Sequence, residues 1–168
     1  MNNTNLKFYF DQLWPICRSI TGDGLRQSYK ILQEIIPLEL IEVPTGTKVH
    51  DWEVPKEWNI RNAFIQLPSG ERIAQFNEHN LHVLNYSTPI DKEITYDELA
   101  KHVFTLPKQP EAIPYVTSYY QEKWGFCLSH EEWLKCPNEG IYRVFIDSDL
   151  KMGSLTFGQY LLKGETEE

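Results

Sequence analysis

One segment of the chain gathers most of the side-chain types that bind ligands or catalyse reactions. It runs from residue 113 to residue 133 and reads IPYVTSYYQEKWGFCLSHEEW, with neighbouring aromatic rings, a thiol and an imidazole. Aromatic faces can stack on sugar rings or hold a peptide. The same rings can equally pack a small β core, and their spacing leaves both interpretations open. The candidates for facing a substrate are Tyr119, Tyr120, Trp124 and His130.

A cysteine in this segment raises the question of nucleophilic catalysis. Cys127 could form a thiol–imidazole pair with His130 or with His102. A reactive cysteine requires an electropositive, partly open setting. Cys127 instead stands between apolar neighbours in the string GFCLS, which is typical of a buried core thiol. We therefore expect Cys127 to be structural, and we assign no catalytic residue.

Histidines, cysteines and carboxylates do not fall at the spacings that hold a metal ion. Zinc needs three or four such ligands, and the motifs CxxC, HxxxH and HExxH do not occur in the sequence. His79 and His82 are three residues apart at the start of a predicted strand, where that spacing would place them on opposite faces. Asp147 and Asp149 could serve acid–base chemistry, but they are more typical of a solvated turn. The sequence predicts no metal site within the chain.

The overall composition disfavours several classes of function. The chain has 168 residues, of which 41% are hydrophobic and 13% aromatic, enough for a folded core. Its net charge of −8 disfavours nucleic acids and anionic membranes, because phosphate groups require a basic surface. No apolar run approaches the length of a membrane span, and the N-terminus lacks the features of a signal peptide. Three widely spaced cysteines predict reduced thiols and a cytoplasmic location.

Two helices are predicted near the N-terminus. Apolar residues from Leu6 to Cys17 recur at helical spacing, but Pro15 should end or kink that helix. The string SITGDG predicts a turn, because its glycines interrupt regular structure. After it, Asp23 is a suitable N-cap for a second helix that stops at Pro37.

Strand and turn patterns dominate the sequence after the second helix. Strands are predicted at LELIEV, LHVLNY, YRVFIDSDL and SLTFGQYLLKG, and a hairpin at NAFIQLPSGERIAQF. Two short helices are predicted at TYDELAKHV and SHEEWLKC, with Thr95 and Ser129 as N-caps. The predicted class is therefore α+β, with two N-terminal helices followed by a β-rich, sandwich-like domain that contains short helices.

Five long strings of this sequence are similar to those of a known family. They are LWPICRSITGDGLRQSYKIL, EVPTGTKVHDWEVPKEWNI, LHVLNYSTPID, TLPKQPEAIPYVTSYYQEKWGFCLS and GSLTFGQYLLKGETEE, and together they cover nearly the whole chain. Through them the chain resembles the bacterial aminopeptidase-like family of unknown function. Members of that family are often labelled polysaccharide-biosynthesis proteins with an aminopeptidase-like domain.

The resemblance implies a larger protein of which this chain is the N-terminal part. The family is similar to zinc-dependent exopeptidases of the twenty-eighth metallopeptidase family, whose α/β core holds one or two zinc ions. The resemblance implies the first core helices and strand in residues 1–49, an inserted β-rich domain in 50–150, and a return strand of an incomplete α/β core in 151–168. The zinc ligands of the family would follow that strand. Zinc is therefore expected for the full-length protein and not for this chain.

Three functional hypotheses follow from the residues and the resemblance. The first is the N-terminal portion of a zinc aminopeptidase-like protein, inactive alone, whose complete form hydrolyses peptide or amide substrates and whose zinc site the four candidate residues would overhang. The second is a non-catalytic module that binds glycans or peptides through Tyr119, Tyr120 and Trp124. The third is a small hydrolase that uses Cys127 and His130. An unpaired sheet edge would also favour homo-oligomers.

Overall fold

The computed structural model describes residues 6–164, and its fold is mixed α+β, as the sequence predicts. Within these residues there are four α-helices, one 3-10 turn and ten strands in small sheets, none of them closed into a barrel. None of the described helices is long and apolar enough to cross a membrane. The helices are α1 (Leu6–Leu13), α2 (Asp23–Leu32), α3 (Tyr96–Ala100) and α4 (His130–Leu134). The strands are β1 (Glu39–Pro44), β2 (Lys48–Val49), β3 (Trp52–Glu53), β4 (Glu57–Gln66), β5 (Arg72–Ile73), β6 (Ile90–Thr95), β7 (Val103–Phe104), β8 (Phe126–Cys127), β9 (Ile141–Lys151) and β10 (Ser154–Gln159).

The chain divides into two compact units. A split unit comprises the described residues 6–57 and 152–164, and a central unit comprises Trp58–Lys151. The central unit therefore interrupts the split unit in sequence, with the chain leaving after Glu57 and returning at Met152. The domain boundaries after residues 49 and 150, which the resemblance implies, remain a prediction about the architecture of the family.

Proline and glycine mark two of the helix boundaries in the split unit, but the predicted end of the second helix at Pro37 is wrong, because α2 ends at Leu32 and turns follow it. α1 ends two residues before Pro15, so the predicted break in the first helix is confirmed. The N-cap of α2 is Gly22, whose φ of 94° lies in the left-handed region that glycine adopts without strain. Asp23 is thus the first helical residue and not the predicted cap. Its negative charge there still favours the helix, because it faces the positive end of the helix dipole.

The split unit contains a two-stranded antiparallel sheet formed by β1 and β10. Gly158 lies on the face that α2 covers, because a Cβ atom at that position would be 3.1 Å from the ring of Tyr29. Successive residues of a strand point to opposite faces, so the far face carries the alternate positions. Two apolar cross-strand pairs lie on that far face: Ile41 with Phe157, and Val43 with Leu155.

The central unit is built on a four-stranded sheet with the strand order β5-β4-β9-β6. The apolar side of this sheet packs against α3 and the short parallel pair formed by β7 and β8, which together enclose the core. This arrangement buries side chains from every part of the unit. The core residues are Ala63, Ile65, Ala74, Val83, Leu99, Phe126, Leu128, Tyr142, Val144 and Ile146.

Both short helices of the central unit begin at the N-cap residues that the sequence predicts. The side-chain oxygen of Thr95 accepts a hydrogen bond from the amide of Glu98 at 3.4 Å, which caps α3. The side-chain oxygen of Ser129 accepts from the amide of Glu132 at 3.2 Å, which caps α4. Both predicted N-caps are therefore confirmed.

The strand predicted at LHVLNY is wrong. The structure has a 3-10 turn at Asn80–His82, followed by two isolated bridges, Val83 with Phe126 and Asn85 with Thr117. The imidazole of His79 caps the turn by accepting from the amide of Leu81 at 3.1 Å. The alternating apolar residues of the segment are still buried, but they reach the core from an irregular loop.

Candidate functional site

Two exposed tyrosines, Tyr115 and Tyr120, and the half-buried Tyr119 between them form a cluster on the central unit. The ring of Tyr119 meets the ring of Tyr120 edge-on, with the centroids 5.7 Å apart. The hydroxyl oxygens of Tyr115 and Tyr119 are 3.5 Å apart. Tyr120 is 77% exposed and Tyr115 is 58% exposed, which is unusual for rings of this size. We refer to Tyr115, Tyr119 and Tyr120 as the tyrosine cluster.

The tyrosine cluster rests on a buried aromatic pair. The ring of Tyr119 meets the ring of Tyr86 edge-on at 5.2 Å, and Tyr86 in turn stacks on Trp58 at 5.7 Å. Tyr86 and Trp58 are both buried, and the indole nitrogen of Trp58 donates to the carbonyl of Ser87 at 2.9 Å. A continuous series of ring contacts therefore leads from the interior of the unit to the exposed ring of Tyr120.

The backbone beneath the cluster is held in an unusual conformation. Tyr86 has a φ of 71°, in the left-handed region, which costs a residue with a side chain about 1 kcal/mol. Two hydrogen bonds fix the preceding residue: the amide of Asn85 donates to the carbonyl of Val116 at 2.9 Å, and the carbonyl of Asn85 accepts from the amide of Ser118 at 3.0 Å. These bonds tie the segment that carries the tyrosines to the segment that carries Tyr86.

The structure places Trp124 in a different environment. Its ring stacks on the imidazole of His102, with the centroids 3.6 Å apart and the planes within 13° of each other. The Nδ1 atom of His102 lies 3.2 Å from the carbonyl oxygen of Trp124, and its Nε2 atom lies 3.5 Å from Glu98. Trp124 also packs against the core of the central unit. Its contacts are therefore those of a half-buried structural residue.

His130 is the first residue of α4 and is half-buried. Its Nδ1 atom lies 3.0 Å from the hydroxyl oxygen of Thr105. Of the four candidates from the sequence, the structure thus joins Tyr119 to Tyr120, whereas the described contacts of Trp124 and His130 are with other residues. Tyr86 and Trp58 were missed as supports, because no local pattern connects residues so far apart in sequence.

Cys127 is a core thiol, as predicted. It is fully buried, and this burial raises the pKa of its thiol to about 12. Its carbonyl oxygen lies 2.9 Å from the Nδ1 atom of the buried His82. A thiol with a pKa so far above neutral carries almost no thiolate, which is the form that acts as a nucleophile.

The described residues do not provide a zinc site. Within 6–164 no group of three or more histidine, cysteine or carboxylate side chains is arranged to hold a metal ion. The rings of His79 and His82 are 6.0 Å apart. The expectation that they point to opposite faces is wrong, because the segment is a 3-10 turn that His79 caps and His82 ends, and not a strand. Their Nδ1 atoms are already engaged by the amide of Leu81 and the carbonyl of Cys127. The zinc that the resemblance implies for the full-length protein therefore does not fit these residues.

The predicted acid–base pair is part of a strand. Asp147 and Asp149 lie within β9 and not in a turn, and both form ion pairs with Arg61 on the outer face of the central sheet. On the same face Arg143 donates two hydrogen bonds to Asp91, at 2.8 and 2.9 Å. These carboxylates neutralise neighbouring guanidinium groups and are not poised for proton transfer.

A polar network holds the split unit together. The guanidinium of Arg26 donates two hydrogen bonds to the buried carboxylate of Glu57, at 2.9 and 2.7 Å. The carboxylate of Glu42 accepts from the hydroxyl of Thr156 at 2.7 Å and from the hydroxyl of Ser154. Burial acts to raise the pKa of Glu42, but the hydrogen bonds from these hydroxyls and from Arg26 outweigh it and hold the pKa below its usual value. We call these five residues the Arg26 network.

Comparisons with known proteins place the chain in a family. Residues 57–149 match the family described as "Domain of unknown function (DUF2172)". A protein from Clostridium acetobutylicum is 49% identical over 158 residues and is named "Putative polysaccharide biosynthesis protein with aminopeptidase-like domain". A crystal structure of a "putative peptidase" from the same organism is 48% identical and superposes with a TM-score of 0.90.

These likenesses extend over nearly all of this chain but only part of each relative. The alignment with the named protein covers 94% of this chain but 36% of that protein. The alignment with the solved structure covers 96% of this chain but 38% of that one. The resemblance to aminopeptidase-like proteins that the sequence strings carry is therefore confirmed. Since the matched residues make up more than half of the sequence, the chain belongs to the family defined by the domain of unknown function DUF2172.

Proposed function

We propose that this chain is the N-terminal portion of an aminopeptidase-like protein whose complete form hydrolyses a peptide or amide bond in polysaccharide biosynthesis. The observation that carries the proposal is the likeness to the Clostridium acetobutylicum crystal structure titled "putative peptidase", which covers 96% of this chain and 38% of that one. The name of the curated relative supports the connection with polysaccharides. In this proposal the chain contributes scaffold, and the hydrolytic centre belongs to other residues of the complete protein.

The split unit has the surface that such a scaffold requires. β1 and β10 pair only with each other among residues 6–164, so each presents an outer edge to further strands. The far face of the sheet carries the two apolar pairs beside the polar pair of Glu39 and Gln159, and Phe157 on that face is 38% exposed. Sheets of α/β proteins are covered on both faces, and free strand edges promote pairing. These features support a role as part of a larger sheet that the rest of the protein extends and covers.

The candidate reactive side chains in the described part of the central unit are occupied by structural interactions, which supports the proposal. Burial raises the pKa of both its thiols, to about 12 for Cys127 and about 11 for Cys136. Its histidines are engaged by neighbouring groups, and the carboxylates of the predicted acid–base pair are paired with Arg61. Zinc would supply an electrophile for hydrolysis in the complete protein, and none of these side chains is arranged to hold it. We therefore assign no step of the reaction to the residues of this chain.

A comparison of the isolated chain with the full-length Clostridium acetobutylicum relative tests the catalytic part. Both proteins are purified, their zinc content is measured by mass spectrometry, and release of nitroaniline from a panel of aminoacyl nitroanilides is followed. The relative should contain zinc and hydrolyse at least one compound, and chelator treatment should abolish that activity. The isolated chain should contain no zinc and should hydrolyse none of the compounds. Zinc-dependent hydrolysis by the isolated chain, or none by the full-length relative, would contradict the proposal.

Co-expression tests the scaffold part. The chain is produced together with the remaining part of the Clostridium acetobutylicum relative, and we expect the two to purify as a complex. Phe157→Glu places a charge on the far face of the split unit and should abolish the complex. Ile141→Glu is the matched control, since Ile141 is 52% exposed but lies in the central unit. Failure of the unsubstituted pair to associate would count against this assignment of the split unit.

A second function, ligand binding by the central unit, is favoured by a separate observation. Two members of the tyrosine cluster, Tyr115 and Tyr120, are exposed, and each contacts the half-buried Tyr119. Such a surface is compatible with the scaffold role, because binding and hydrolysis would use different residues.

A further inference from the structure

We propose that the tyrosine cluster is a binding site for a neutral oligosaccharide. The choice of a glycan rests on the proposed role in polysaccharide biosynthesis, whereas the location of the site rests on the geometry of Tyr115, Tyr119 and Tyr120. The site lies entirely within the central unit and needs no metal ion.

The exposure of the cluster is the first argument. Tyr120 and Tyr115 present most of their surface to water, at 77% and 58% of the maximum. Scattered exposed apolar residues are ordinary, whereas exposed aromatic residues grouped in one place mark surfaces that bind partners or ligands. Tyr119 joins the two, since it contacts the ring of Tyr120 and approaches the hydroxyl of Tyr115. The three rings therefore form one surface.

The rigidity of the support is the second argument. Tyr119 leans edge-on against Tyr86, which is buried and stacked on Trp58. Hydrogen bonds between the backbone of Asn85 and that of Val116 and Ser118 tie the residue before Tyr86 to the segment that carries the tyrosines. Rings that are already held in place lose little conformational freedom on binding, and this makes a small contact surface more effective.

The chemistry of the exposed groups is the third argument. A pyranose ring offers an apolar face of C–H groups and a rim of hydroxyls. A tyrosine ring offers a flat apolar face and one phenol that can both donate and accept a hydrogen bond. The neighbouring hydroxyls of Tyr115 and Tyr119 can bind adjacent sugar hydroxyls, while the exposed ring of Tyr120 receives a sugar face.

The charge of the segment decides between neutral and acidic glycans. The cluster itself consists of neutral side chains, and the residues that follow it, Glu122 and Lys123, carry opposite charges. Recognition of a carboxylate or phosphate generally uses arginine in a bidentate contact. The segment from Tyr115 to Lys123 contains no arginine. A neutral oligosaccharide therefore fits it better than an anionic one.

Isothermal titration calorimetry of the 168-residue chain tests the proposal. The probes are three neutral hexasaccharides, namely cellohexaose, maltohexaose and chitohexaose, together with a blocked neutral pentapeptide that contains one phenylalanine. At least one hexasaccharide should bind, and Tyr120→Ala should weaken its binding about tenfold, which corresponds to about 1.4 kcal/mol. Tyr120→Phe keeps the ring and should retain most of the affinity. Tyr160→Ala is the matched control, since Tyr160 is also exposed but lies in the split unit, and it should leave binding unchanged.

Three results would overturn the proposal. They are the absence of binding to every hexasaccharide, an equal loss of affinity with Tyr160→Ala, and Tyr120-dependent binding of the peptide alone. Circular dichroism of each variant verifies that it is folded, which the high exposure of Tyr120 leads us to expect. The zinc and nitroanilide assays of the full-length relative report separately on the proposed function. Glycan binding can thus fail while that function stands, and the reverse also holds.

Discussion

The two units of this protein differ in what they bury. The central unit encloses a continuous apolar core in which residues such as Phe126 and Leu99 have no exposed surface. In the described part of the split unit, Val54 is the one apolar side chain that is buried to a similar degree. The other buried side chains there are polar: Thr21, Ser28, Glu57 and Thr156.

The two units therefore owe their stability to different interactions. The central unit gains its stability from apolar surface removed from water, which is non-directional and distributed over many side chains. The split unit depends on a few directional interactions, above all the ion pair between Arg26 and Glu57. Removing one partner of a buried ion pair leaves an uncompensated charge, so a single substitution can unravel such a unit.

Phe126→Ala is expected to have the largest effect, confined to the central unit. Phe126 is fully buried, and truncation of a buried phenylalanine destabilises a protein by about 4 kcal/mol because it leaves a cavity. Urea unfolding measures the loss, and hydrogen exchange should locate it within Trp58–Lys151. Phe157→Ala removes a ring that is 38% exposed and should cost about 1 kcal/mol or less. Equal losses in the two variants would refute the contrast between the units.

Arg26→Met is expected to be the next most damaging change and to act on the split unit. It leaves the carboxylate of Glu57 buried without its partner, at a cost of about 3 kcal/mol. Faster hydrogen exchange of β1 and β10, with β4 and β9 unchanged, is the expected signature. Adding Glu57→Gln should recover part of the loss, since it removes the buried charge. If the double variant is no more stable than Arg26→Met, the interpretation of the network is incorrect.

Thr95→Ala should have a moderate effect on the central unit. It removes the cap of α3, which typically costs about 1 kcal/mol. Thr95→Ser keeps the capping oxygen and is the matched control. Thermal unfolding compares the two variants, and a loss in Thr95→Ser as large as that in Thr95→Ala would argue against the cap as the cause.

The smallest expected effect is a pH dependence that comes from the outer face of the central sheet. The hydrogen bond from Arg143 holds the pKa of Asp91 below its usual value. The contribution of this pair is complete above the unfolded-state pKa of aspartate, about 3.9, and disappears as the pH falls through the lower folded-state value. Asp91→Asn should therefore make unfolding slightly less sensitive to acid in that range, as measured by urea unfolding at a series of pH values. Asp51→Asn, in an exposed turn of the split unit, should leave the acid sensitivity unchanged.

Features set by neighbouring residues were predictable from the sequence. Pro15, Thr95 and Ser129 mark helix boundaries through their own covalent geometry or side-chain oxygens, and the structure agrees at each of them. The hairpin formed by β4 and β5 likewise follows from a turn flanked by two apolar runs. In all these cases the decisive interaction spans only a few residues.

Features set by distant partners were not predictable. β6 escaped the sequence analysis because its middle is the polar string DKE, and its strand form depends on pairing with β9. The string LHVLNY, which ends at Tyr86, predicts a strand, but the positive φ of Tyr86 is incompatible with regular strand pairing. For the same reason the spacing of Trp124 and His130 could not reveal that their neighbours would be His102 and Thr105.

The place where the chain leaves and re-enters the split unit has a consequence for modular engineering. The amide of Ser154 donates to the carboxylate of Glu57 at 3.2 Å, and a Cβ atom at Gly153 would lie 2.7 Å from the Cβ atom of Glu57. The first and last residues of the central unit, Trp58–Lys151, therefore adjoin positions of the split unit that are close together. If the central unit were deleted, a short peptide could connect Glu57 to Gly153. The central unit could also be inserted into a tight turn of another protein.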